Sequence, residues 1–553
     1  MTVASLPPSL EAGLERIDEL AEKTFAGWHV PGLVYGVVLG GELVHARSLG
    51  TLRLGEDAPP GPDSVFRIAS MTKSFTAAVV LLLRDEGRLR LDDPIERYVP
   101  ELEHLEYPTT DSPRITIRHL LTMTAGFPTD DPWGDRQQGL DLRAFSELLQ
   151  GGLAFAWAPG TRFEYSNTGY GILGRLITNV TGIEYRDVVR ERLLVPLGMH
   201  STGYLESEID PARLARGYLW RDGEYLDEPS DAYGALAAMG GLFTTVEDLA
   251  RWVSGFTDAF PPRDGPGLDH PLSRATRREM QQPMVPADLR LTQVSAEALP
   301  DVASEHYGFG LFMGDDVRFG RIVGHGGGYP GFGSNMRWHP ASGLGLIALT
   351  NHRYGPAGPL AKEMLDVLLR LDSVAVRRVR PNAATIAARE AVEQLMARWD
   401  DDLAERTFAM NVELDEPLAV RRAKLERLHE RHGVLRPDES EPEQSLTPYH
   451  LAWWLAGERG RVKVELLLSP EMPPRVQTFA VTSVPEPPAL LRTAAERIVF
   501  AMEAPAGGPV AIDWPRDLVV AAGVDVGKVV RAMRATEARF GPLELGPAVD
   551  GDG

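Results

Sequence analysis

Ser70-Met71-Thr72-Lys73 stands just before Phe75 to Leu83 (FTAAVVLLL), an apolar run that ends near Gly87. Gly61-Pro62-Asp63-Ser64 interrupts the chain upstream, so the pattern predicts a buried helix from about Ala69 to Glu86. Residues three apart share a helix face, which brings the serine hydroxyl beside the lysine amine. A lysine whose pKa is lowered by burial and by the helix N-terminus can take the proton of a serine. The stretch therefore predicts an activated nucleophile.

The alternative is that Ser70 caps the helix and Lys73 lies on a solvated face. Lysine usage argues against this alternative, because only six of the 57 basic residues are lysine and 51 are arginine. A chain that uses arginine almost everywhere has kept lysine in front of an apolar run. An S-x-x-K match by itself is a weak signal, so the interpretation depends on two further segments.

The second segment is Tyr165-Ser166-Asn167, which follows a Pro159-Gly160 turn and precedes an apolar helix pattern from Ile172 to Ile177. A tyrosine beside a lysine ammonium can have its pKa lowered far enough to carry protons, and an asparagine amide can hold the lysine or the substrate. The alternative is a half-buried packing tyrosine, which is the commoner role of a loop tyrosine.

The third segment is His325-Gly326-Gly327-Gly328, which lies between the strand patterns Arg321–Gly324 and Ser334–Trp338. Glycines on a strand edge let a ligand approach the backbone and leave N–H groups unhindered, as an oxyanion hole requires. The alternative is a glycine-rich bulge or hairpin that carries an exposed histidine.

In this order and with this spacing, the three motifs resemble those of the penicillin-recognising serine hydrolases. That group includes class C β-lactamases, D-alanyl-D-alanine carboxypeptidases, D-aminopeptidases and β-lactamase-like esterases. Residues 115–122 (ITIRHLLT), 240–250 (GGLFTTVEDLA) and 307–310 (YGFG) share the resemblance, which covers about residues 10 to 370. It implies an α/β (α+β) fold of the β-lactamase/transpeptidase type, with an antiparallel sheet, flanking helices and an inserted helical region.

The resemblance also implies a role for each candidate site residue. It implies that Ser70 is the acylated nucleophile, that Lys73 is its partner in proton transfer and that Tyr165 is a second acid/base. Asn167 would position the lysine and the substrate, and the third motif would be His325, Gly326 and Gly327. The backbone N–H groups of Ser70 and Gly328 would form the oxyanion hole.

The third motif departs from the pattern of many relatives, which have Lys-Thr-Gly where this chain has His325-Gly326-Gly327. A mostly neutral imidazole without the neighbouring hydroxyl weakens an anchor for a substrate carboxylate. The expected activity is therefore that of a metal-free serine hydrolase acting through an acyl-enzyme on small esters or amides, either an esterase or a D-aminopeptidase-like enzyme. The alternatives are a β-lactamase, a D-alanyl-D-alanine carboxypeptidase, or a penicillin-binding sensor protein that turns over slowly.

Composition narrows the class of partner. The 553 residues carry a formal net charge of −21, which opposes binding to nucleic acid or to an anionic membrane. No run approaches about 20 apolar residues, and Met1–Pro8 has no signal-peptide pattern, so a cytoplasmic location is predicted. With no cysteine and no metal-site spacing among the histidines, neither a metal nor a cofactor is expected. The expected partner is a small ester, amide or peptide substrate.

Strand patterns lie at both ends of the resembling region. Pro31 to Gly50 predicts two strands joined by a Gly40-Gly41 turn, and further strands are predicted at 321–324, 335–338 and 344–349. The stretch from Ser70 to Leu249 is helix-rich, so the substrate cleft is expected between the sheet and this inserted region. Asp130 to Asp135 is predicted to be an ordinary solvent loop rather than one that overhangs the cleft.

A domain boundary is predicted near residues 377–382, which gives a hydrolase domain at 1–380 and an accessory α+β module at 381–553. Helices are predicted at 388–399 and 419–432, and strands at 460–468 and 475–484. Residues 490–545 weakly repeat the helical half of this module. Since the module offers no catalytic set, docking, gating or homo-oligomer formation is its expected role.

Overall fold

The structure is a computed structural model that describes residues 8–292, 301–316, 318–371, 379–438, 440 and 443–485. The chain divides into two compact units, Met1–Arg377 and Arg378–Gly553. The weak repeat predicted at 490–545 lies outside the described residues. No helix in the described part of the chain combines the length and apolar character that crossing a bilayer requires.

The first unit combines a large antiparallel sheet with helices. Its helices are α1 (Pro8–Gly27), α2 (Thr72–Asp85), α3 (Ile117–Leu121), α4 (Asp131–Gly134), α5 (Leu142–Gln150), α6 (Asn167–Thr181), α7 (Tyr185–Val189), α8 (Ala237–Gly240), α9 (Val246–Asp258), α10 (Arg274–Met280) and α11 (Ala357–Leu369). Its strands are β1 (Gly32–Leu39), β2 (Glu42–Gly50), β3 (Phe66–Arg67), β4 (Gly217–Arg221), β5 (Glu224–Glu228), β6 (Phe243–Thr244), β7 (Val285–Thr292), β8 (Asp301–Tyr307), β9 (Phe312–Asp316), β10 (Gly320–Tyr329), β11 (Phe332–His339) and β12 (Leu344–Thr350).

Within the described residues, eight strands form the main sheet in the order β2-β1-β12-β11-β10-β9-β8-β7. Strands from the two ends of the unit are neighbours in this sheet, because β1 pairs antiparallel with β12 in a register that sets Tyr35 opposite Ala348. The predicted turn between β1 and β2 forms at Gly40 and Gly41, whose φ angles are +64° and +92°. The sheet thus closes around the inserted helices, as the sequence predicts.

Helices cover both faces of this sheet. On one face α1 and α11 pack together against β1 and β12, and their core includes the fully buried Ile17, Tyr35 and Met364. On the other face α9 packs against the same strands, and α2, α6 and α8 continue its core. The apolar run from Phe75 to Leu83 is buried throughout, because α2 lies inside the inserted helical region.

Sequence patterns did not predict β4, β5 or β7 to β9. The β5 strand reads EYLDE and is mostly exposed, so its pairing with β4 supplies the strand geometry without an alternating apolar pattern. By contrast, the predicted strands that became β10, β11 and β12 lie near the sheet centre, and β11 and β12 are almost entirely buried.

The second unit packs helices against a smaller antiparallel sheet. It contains α12 (Ala383–Ala397), α13 (Asp401–Thr407), α14 (Met410–Asp415), α15 (Leu418–His432), β13 (Arg436–Pro437), β14 (His450–Gly457), β15 (Gly460–Leu468) and β16 (Val476–Pro485), and the strand order is β13-β14-β15-β16. Its core includes Trp453, Val464 and Leu395, each no more than 1% exposed. The predicted helices and strands of this unit lie close to α12, α15, β15 and β16.

Candidate active site

Ser70 lies on a 3₁₀ turn, Ala69–Met71, that leads into α2. The predicted helix is therefore present, but the serine precedes its α-helical part. Ala69 adopts φ +47°, a left-handed conformation that alanine rarely takes. Such strain persists only where the surroundings enforce it, and it is common at functional sites. The first N–H groups of a helical segment lack intrahelical acceptors, so the Ser70 amide is suited to receive a ligand oxygen.

The Lys73 ammonium group is fully buried and donates hydrogen bonds to three acceptors. Its Nζ lies 2.9 Å from Ser70 Oγ, 2.7 Å from Asn167 Oδ1 and 2.8 Å from the carbonyl oxygen of Met239. Burial lowers the pKa of Lys73 to about 8, although the charge of Asp131 partly opposes this. The alternative of a solvated lysine is wrong. A buried amine with this pKa can exchange a proton with the serine hydroxyl at neutral pH.

Tyr165 lies on the other side of the same amine, with Lys73 Nζ 4.8 Å from the centroid of its ring. Burial raises the pKa of this phenol well above its usual value, and the charge of Asp131 raises it further. The side chain of Ser70 acts in the opposite direction but is outweighed. The expectation of a lowered tyrosine pKa is therefore wrong, because desolvation is the largest effect on this phenol. Tyr165 is a neutral phenol that can donate a proton.

Asn167 is the first residue of α6, where Ser166 caps the helix by accepting a bond from the Gly169 amide. Asp130 accepts hydrogen bonds from the backbone amides of Asn167, at 2.6 Å, and Thr168, at 2.8 Å. The segment predicted as an ordinary solvent loop thus contacts the candidate site. Sequence reasoning was wrong here because aspartate, proline and glycine are typical of solvent loops and of helix caps alike.

His325 lies on β10 and is only 3% exposed, so the alternative of an exposed histidine on a hairpin is wrong. Its Nδ1 lies 2.6 Å from the Gly326 carbonyl oxygen, and its Nε2 lies 3.3 Å from the Tyr307 hydroxyl. Burial lowers the pKa of His325 to about 3, and the charge of Lys73 acts in the same direction. The imidazole is therefore neutral at pH 7, in agreement with the prediction.

The glycines after His325 bring β10 against the Ser70 turn. A Cβ atom on Gly327 would lie 2.1 Å from the carbonyl oxygen of Ile68, and one on Gly328 would lie 2.6 Å from the Tyr354 ring. The pairing of β10 with β9 ends at Gly324 in the described residues. The backbone from His325 onward thus forms a strand edge beside the serine, which is the geometry that an oxyanion hole needs.

Part of this site opens into a cleft of about 750 Å³. The lining residues are Ser70, Asp131, Pro132, Asp135, Phe163, Tyr165, Ala287, Asp288, Glu305, Phe312, His325, Gly326, Gly328 and Tyr354. Among the described residues of this lining there are four carboxylates and no lysine or arginine. Asp135 is buried, accepts a 2.8 Å bond from the Tyr354 hydroxyl, and has its pKa raised to about 6 by burial. The cleft is therefore acidic.

Several contacts of this site had no readable signal in the sequence. Lys73 is held by the carbonyl of Met239, and any residue type supplies a carbonyl there. A Cβ atom on Gly310 (φ +71°) would lie 2.6 Å from the Lys73 carbonyl oxygen, which explains a glycine in the YGFG segment. Asp135 and Tyr354 meet across 219 positions of the chain. In the part of the chain that the structure describes, no group of three or more His, Asp or Glu side chains is arranged to hold a metal ion.

The Beta-lactamase family model matches residues 17–369, which are more than half of the chain and include every candidate site residue. The chain belongs to the beta-lactamase family. The predicted resemblance is thus confirmed, and this beta-lactamase family member stands among the hydrolases related to serine β-lactamases and penicillin-binding proteins.

Its curated relatives are distant. Penicillin-binding protein 4* of Bacillus subtilis (strain 168) is 26% identical over 325 residues, which cover 56% of this chain and 66% of that protein. Beta-lactamase-like protein 2 of Dictyostelium discoideum is 29% identical over 260 residues, 44% of this chain and 46% of that protein. The D-alanyl-D-alanine-carboxypeptidase/endopeptidase AmpH of Escherichia coli (strain K12) is 27% identical over 344 residues, which cover 60% of this chain and 82% of that protein. The chain spans less than two thirds of the first two relatives.

A solved structure supports the fold of this beta-lactamase family member. The octameric penicillin-binding protein homologue from Pyrococcus abyssi matches with a TM-score of 0.55 and 20% sequence identity, covering 82% of this chain and 96% of that one. The predicted fold class, an antiparallel sheet flanked by helices with a sheet-containing C-terminal module, is confirmed.

Proposed function

We propose that the chain is a serine hydrolase that forms an acyl-enzyme on Ser70 and hydrolyses small esters or amides. The observation that carries this proposal is the 2.9 Å contact between Ser70 Oγ and the fully buried Nζ of Lys73, whose pKa is lowered to about 8. A binding protein or an inert scaffold has no need of a buried proton acceptor beside a hydroxyl.

In the proposed acylation, Ser70 Oγ attacks the substrate carbonyl carbon while its proton passes to the neutral amine of Lys73. The backbone amides of Ser70 and Gly328 donate hydrogen bonds to the oxyanion. The bond to the leaving group then breaks, and Tyr165 delivers a proton to the departing oxygen or nitrogen and recovers one from Lys73. Water attacks the acyl-enzyme in the second half-reaction, releases the acid and returns the proton to Ser70.

The lining of the cleft supports a preference for uncharged or amine-bearing substrates. His325 is neutral where many relatives have a lysine, so no cation of the third motif faces a substrate carboxylate. No lysine or arginine stands among the described residues that line the cleft, so its lining offers no cationic partner to a substrate carboxylate. Esterase or D-aminopeptidase-like activity fits this arrangement better than activity on substrates that need a carboxylate anchor.

We expect p-nitrophenyl butyrate or D-alanine p-nitroanilide to be hydrolysed with a higher kcat/KM than a chromogenic cephalosporin. Replacing His325→Lys together with Gly326→Thr should move the ratio toward the cephalosporin by about 10-fold, the effect of one regained charge-assisted hydrogen bond. A Cβ atom on Gly326 would lie 3.3 Å from Asn335 Nδ2, so the threonine requires only a small adjustment of that side chain.

Gly326→Thr alone is the matched control, because it adds the hydroxyl without the charge and should leave the ratio near that of the wild type. A wild type that prefers the cephalosporin would contradict the proposed specificity. Equal loss of both activities in the double variant would mean that the triplet shapes the site without binding the carboxylate.

A D-alanyl-D-alanine carboxypeptidase is the second candidate, because the name of AmpH, 27% identical to this chain, describes that activity. Release of D-alanine from a peptide ending in D-Ala-D-Ala, at a kcat/KM above that for p-nitrophenyl butyrate, would favour this candidate. The same comparison separates the two candidates in one assay series.

We also propose that the chain forms homo-oligomers through the accessory module at 381–553, since the Pyrococcus abyssi homologue is octameric and matches 82% of this chain. Light scattering after size exclusion should give a mass that is a multiple of the 60.6 kDa protomer. A concentration-independent mass of one protomer would reject self-association. Oligomers that persist after removal of residues 381–553 would place the contact elsewhere.

A further inference from the structure

The amide of Asn167 lies between a cation and an anion. Its Oδ1 accepts a hydrogen bond from Lys73 Nζ at 2.7 Å, and its Nδ2 donates one to Asp131 Oδ1 at 2.7 Å. An ammonium group has only donors and an ionised carboxylate has only acceptors. Lys73 can therefore bond only to the amide oxygen, and Asp131 only to the amide NH₂ group. Both bonds require the same orientation of the Asn167 amide.

Reversal of this amide would turn its NH₂ group toward Lys73. Two donors would then face each other inside a site where the lysine is fully buried, and the ammonium would lose one of its three acceptors. A buried donor without an acceptor is destabilised by its full desolvation. The carboxylate of Asp131 opposes this reversal, because it offers no donor to the amide oxygen.

Asp130 and Asp131 act on different parts of Asn167. Asp130 accepts bonds from the backbone amides at the start of α6 and thus fixes the backbone of the motif. The Asp131 carboxylate accepts its bond from the side-chain amide instead, and α4 packs directly on that amide, since a Cβ on Gly134 would lie 3.2 Å from Asn167 Nδ2. The amide orientation is therefore set separately from the helix cap.

We propose that Asp131 is a positioning residue that orients the Asn167 amide so that its oxygen holds Lys73 beside Ser70. This proposal rests on the proposed function only where turnover is concerned, because the contact geometry is independent of the substrate. Asp131 also acts on Lys73 through its charge, which raises the pKa of the amine against the larger effect of burial.

Other ionisable groups also surround the amine of Lys73, and they affect its pKa together with Asp131. On the α4 side they are Asp130, Asp131 and Asp135, around α6 they are Tyr165 and Tyr170, and on β10 it is His325. The charges of the three carboxylates favour the charged amine. Removing the charge of Asp131 is therefore expected to lower the pKa of Lys73 further.

The test compares Asp131→Ala, Asp131→Asn and Asp131→Glu in the full chain. Only six lysines occur in the sequence, so lysine labelled with ¹³C at Cε gives few NMR signals, and the loss of one signal in Lys73→Ala assigns the site. The Lys73 titration should move to lower pH in the alanine and asparagine variants and stay near that of the wild type in the glutamate variant. Asp222→Asn, which removes a 94% exposed carboxylate from the β4–β5 turn, should leave it unchanged.

Kinetics provide the second measurement. The kcat/KM of Asp131→Ala for p-nitrophenyl butyrate should fall about 10-fold, the effect of losing one hydrogen bond that supports a charged group. Asp131→Asn retains an acceptor and should lose less, Asp131→Glu should recover most of the activity, and thermal unfolding of each variant reports on its folding. An unchanged Lys73 titration together with kcat/KM within about twofold of wild type in Asp131→Ala would overturn the proposal. If the wild type lacks Ser70-dependent turnover but the titration shifts as expected, the proposed function fails while the positioning role stands.

Discussion

Replacing Ser70 with alanine is expected to abolish turnover and to abolish covalent labelling by a fluorophosphonate probe. The proposed mechanism has one nucleophile, and the Ser70 hydroxyl is the one that contacts the buried amine of Lys73. Loss of a nucleophile with its acid/base partners intact lowers kcat by at least about 10⁴-fold in serine hydrolases. Labelling followed by in-gel fluorescence and by mass spectrometry of the modified peptide measures this directly.

Ser74→Ala is the matched control for this experiment. Ser74 lies one turn further along α2, but its hydroxyl donates to the Met71 carbonyl and accepts from Trp252 Nε1. It should therefore keep labelling. Labelling that persists in Ser70→Ala would assign the nucleophile to another serine and would remove the basis of the proposed acyl-enzyme.

The second large effect is expected from the proton-transfer pair, since Lys73→Ala and Tyr165→Phe should each slow acylation by at least about 10²-fold while the fold is retained. In the wild type kcat/KM should rise with pH through about 8, because the amine of Lys73 acts only after it has lost its proton. Lys73→Arg should be as inactive as Lys73→Ala, since a guanidinium does not deprotonate in this range. Stopped-flow measurement of the acylation phase across pH checks all three variants.

Tyr170→Phe is the control for the tyrosine. Its phenol also lies near the lysine, with Nζ 5.7 Å from the ring centroid, but its hydroxyl donates to the Leu121 carbonyl. This variant should lose much less activity than Tyr165→Phe. A near-wild-type acylation rate in Tyr165→Phe would contradict its role as an acid/base group and would leave proton delivery to Lys73 alone.

The sequence predicted the parts of the site that depend on local spacing. Ser70 and Lys73 are three residues apart at the start of an apolar helix, so their contact follows from helix geometry. The bond from Lys73 to Met239 was not predictable, because a backbone carbonyl leaves no mark on residue type. The tyrosine pKa was predicted with the wrong sign, because burial of Tyr165 depends on residues distant in the chain.

A similar distinction holds for the fold. A central strand such as β12 was predicted because helices cover both faces of the sheet there. Such a strand has branched apolar residues on both of its sides, and this gives it a clear sequence pattern. The polar hairpin of β4 and β5 and the strands β7 to β9 were missed, because backbone pairing defines them more than burial does. The short helix α4 was missed for a related reason, since its contacts with Asn167 bring together residues about 36 positions apart.

The pairing of β1 with β12 has a consequence for biosynthesis. These strands are separated by about 300 residues, and β12 joins the β1–β2 hairpin to the other five strands of the sheet. At about 5–20 residues per second, a ribosome takes about 15–60 s to deliver β12 after β1 has emerged. During that interval the apolar β1–β2 hairpin has an open edge that another nascent chain can pair with. Completion of the sheet, and with it protection from aggregation, therefore waits until nearly the whole first unit has been translated.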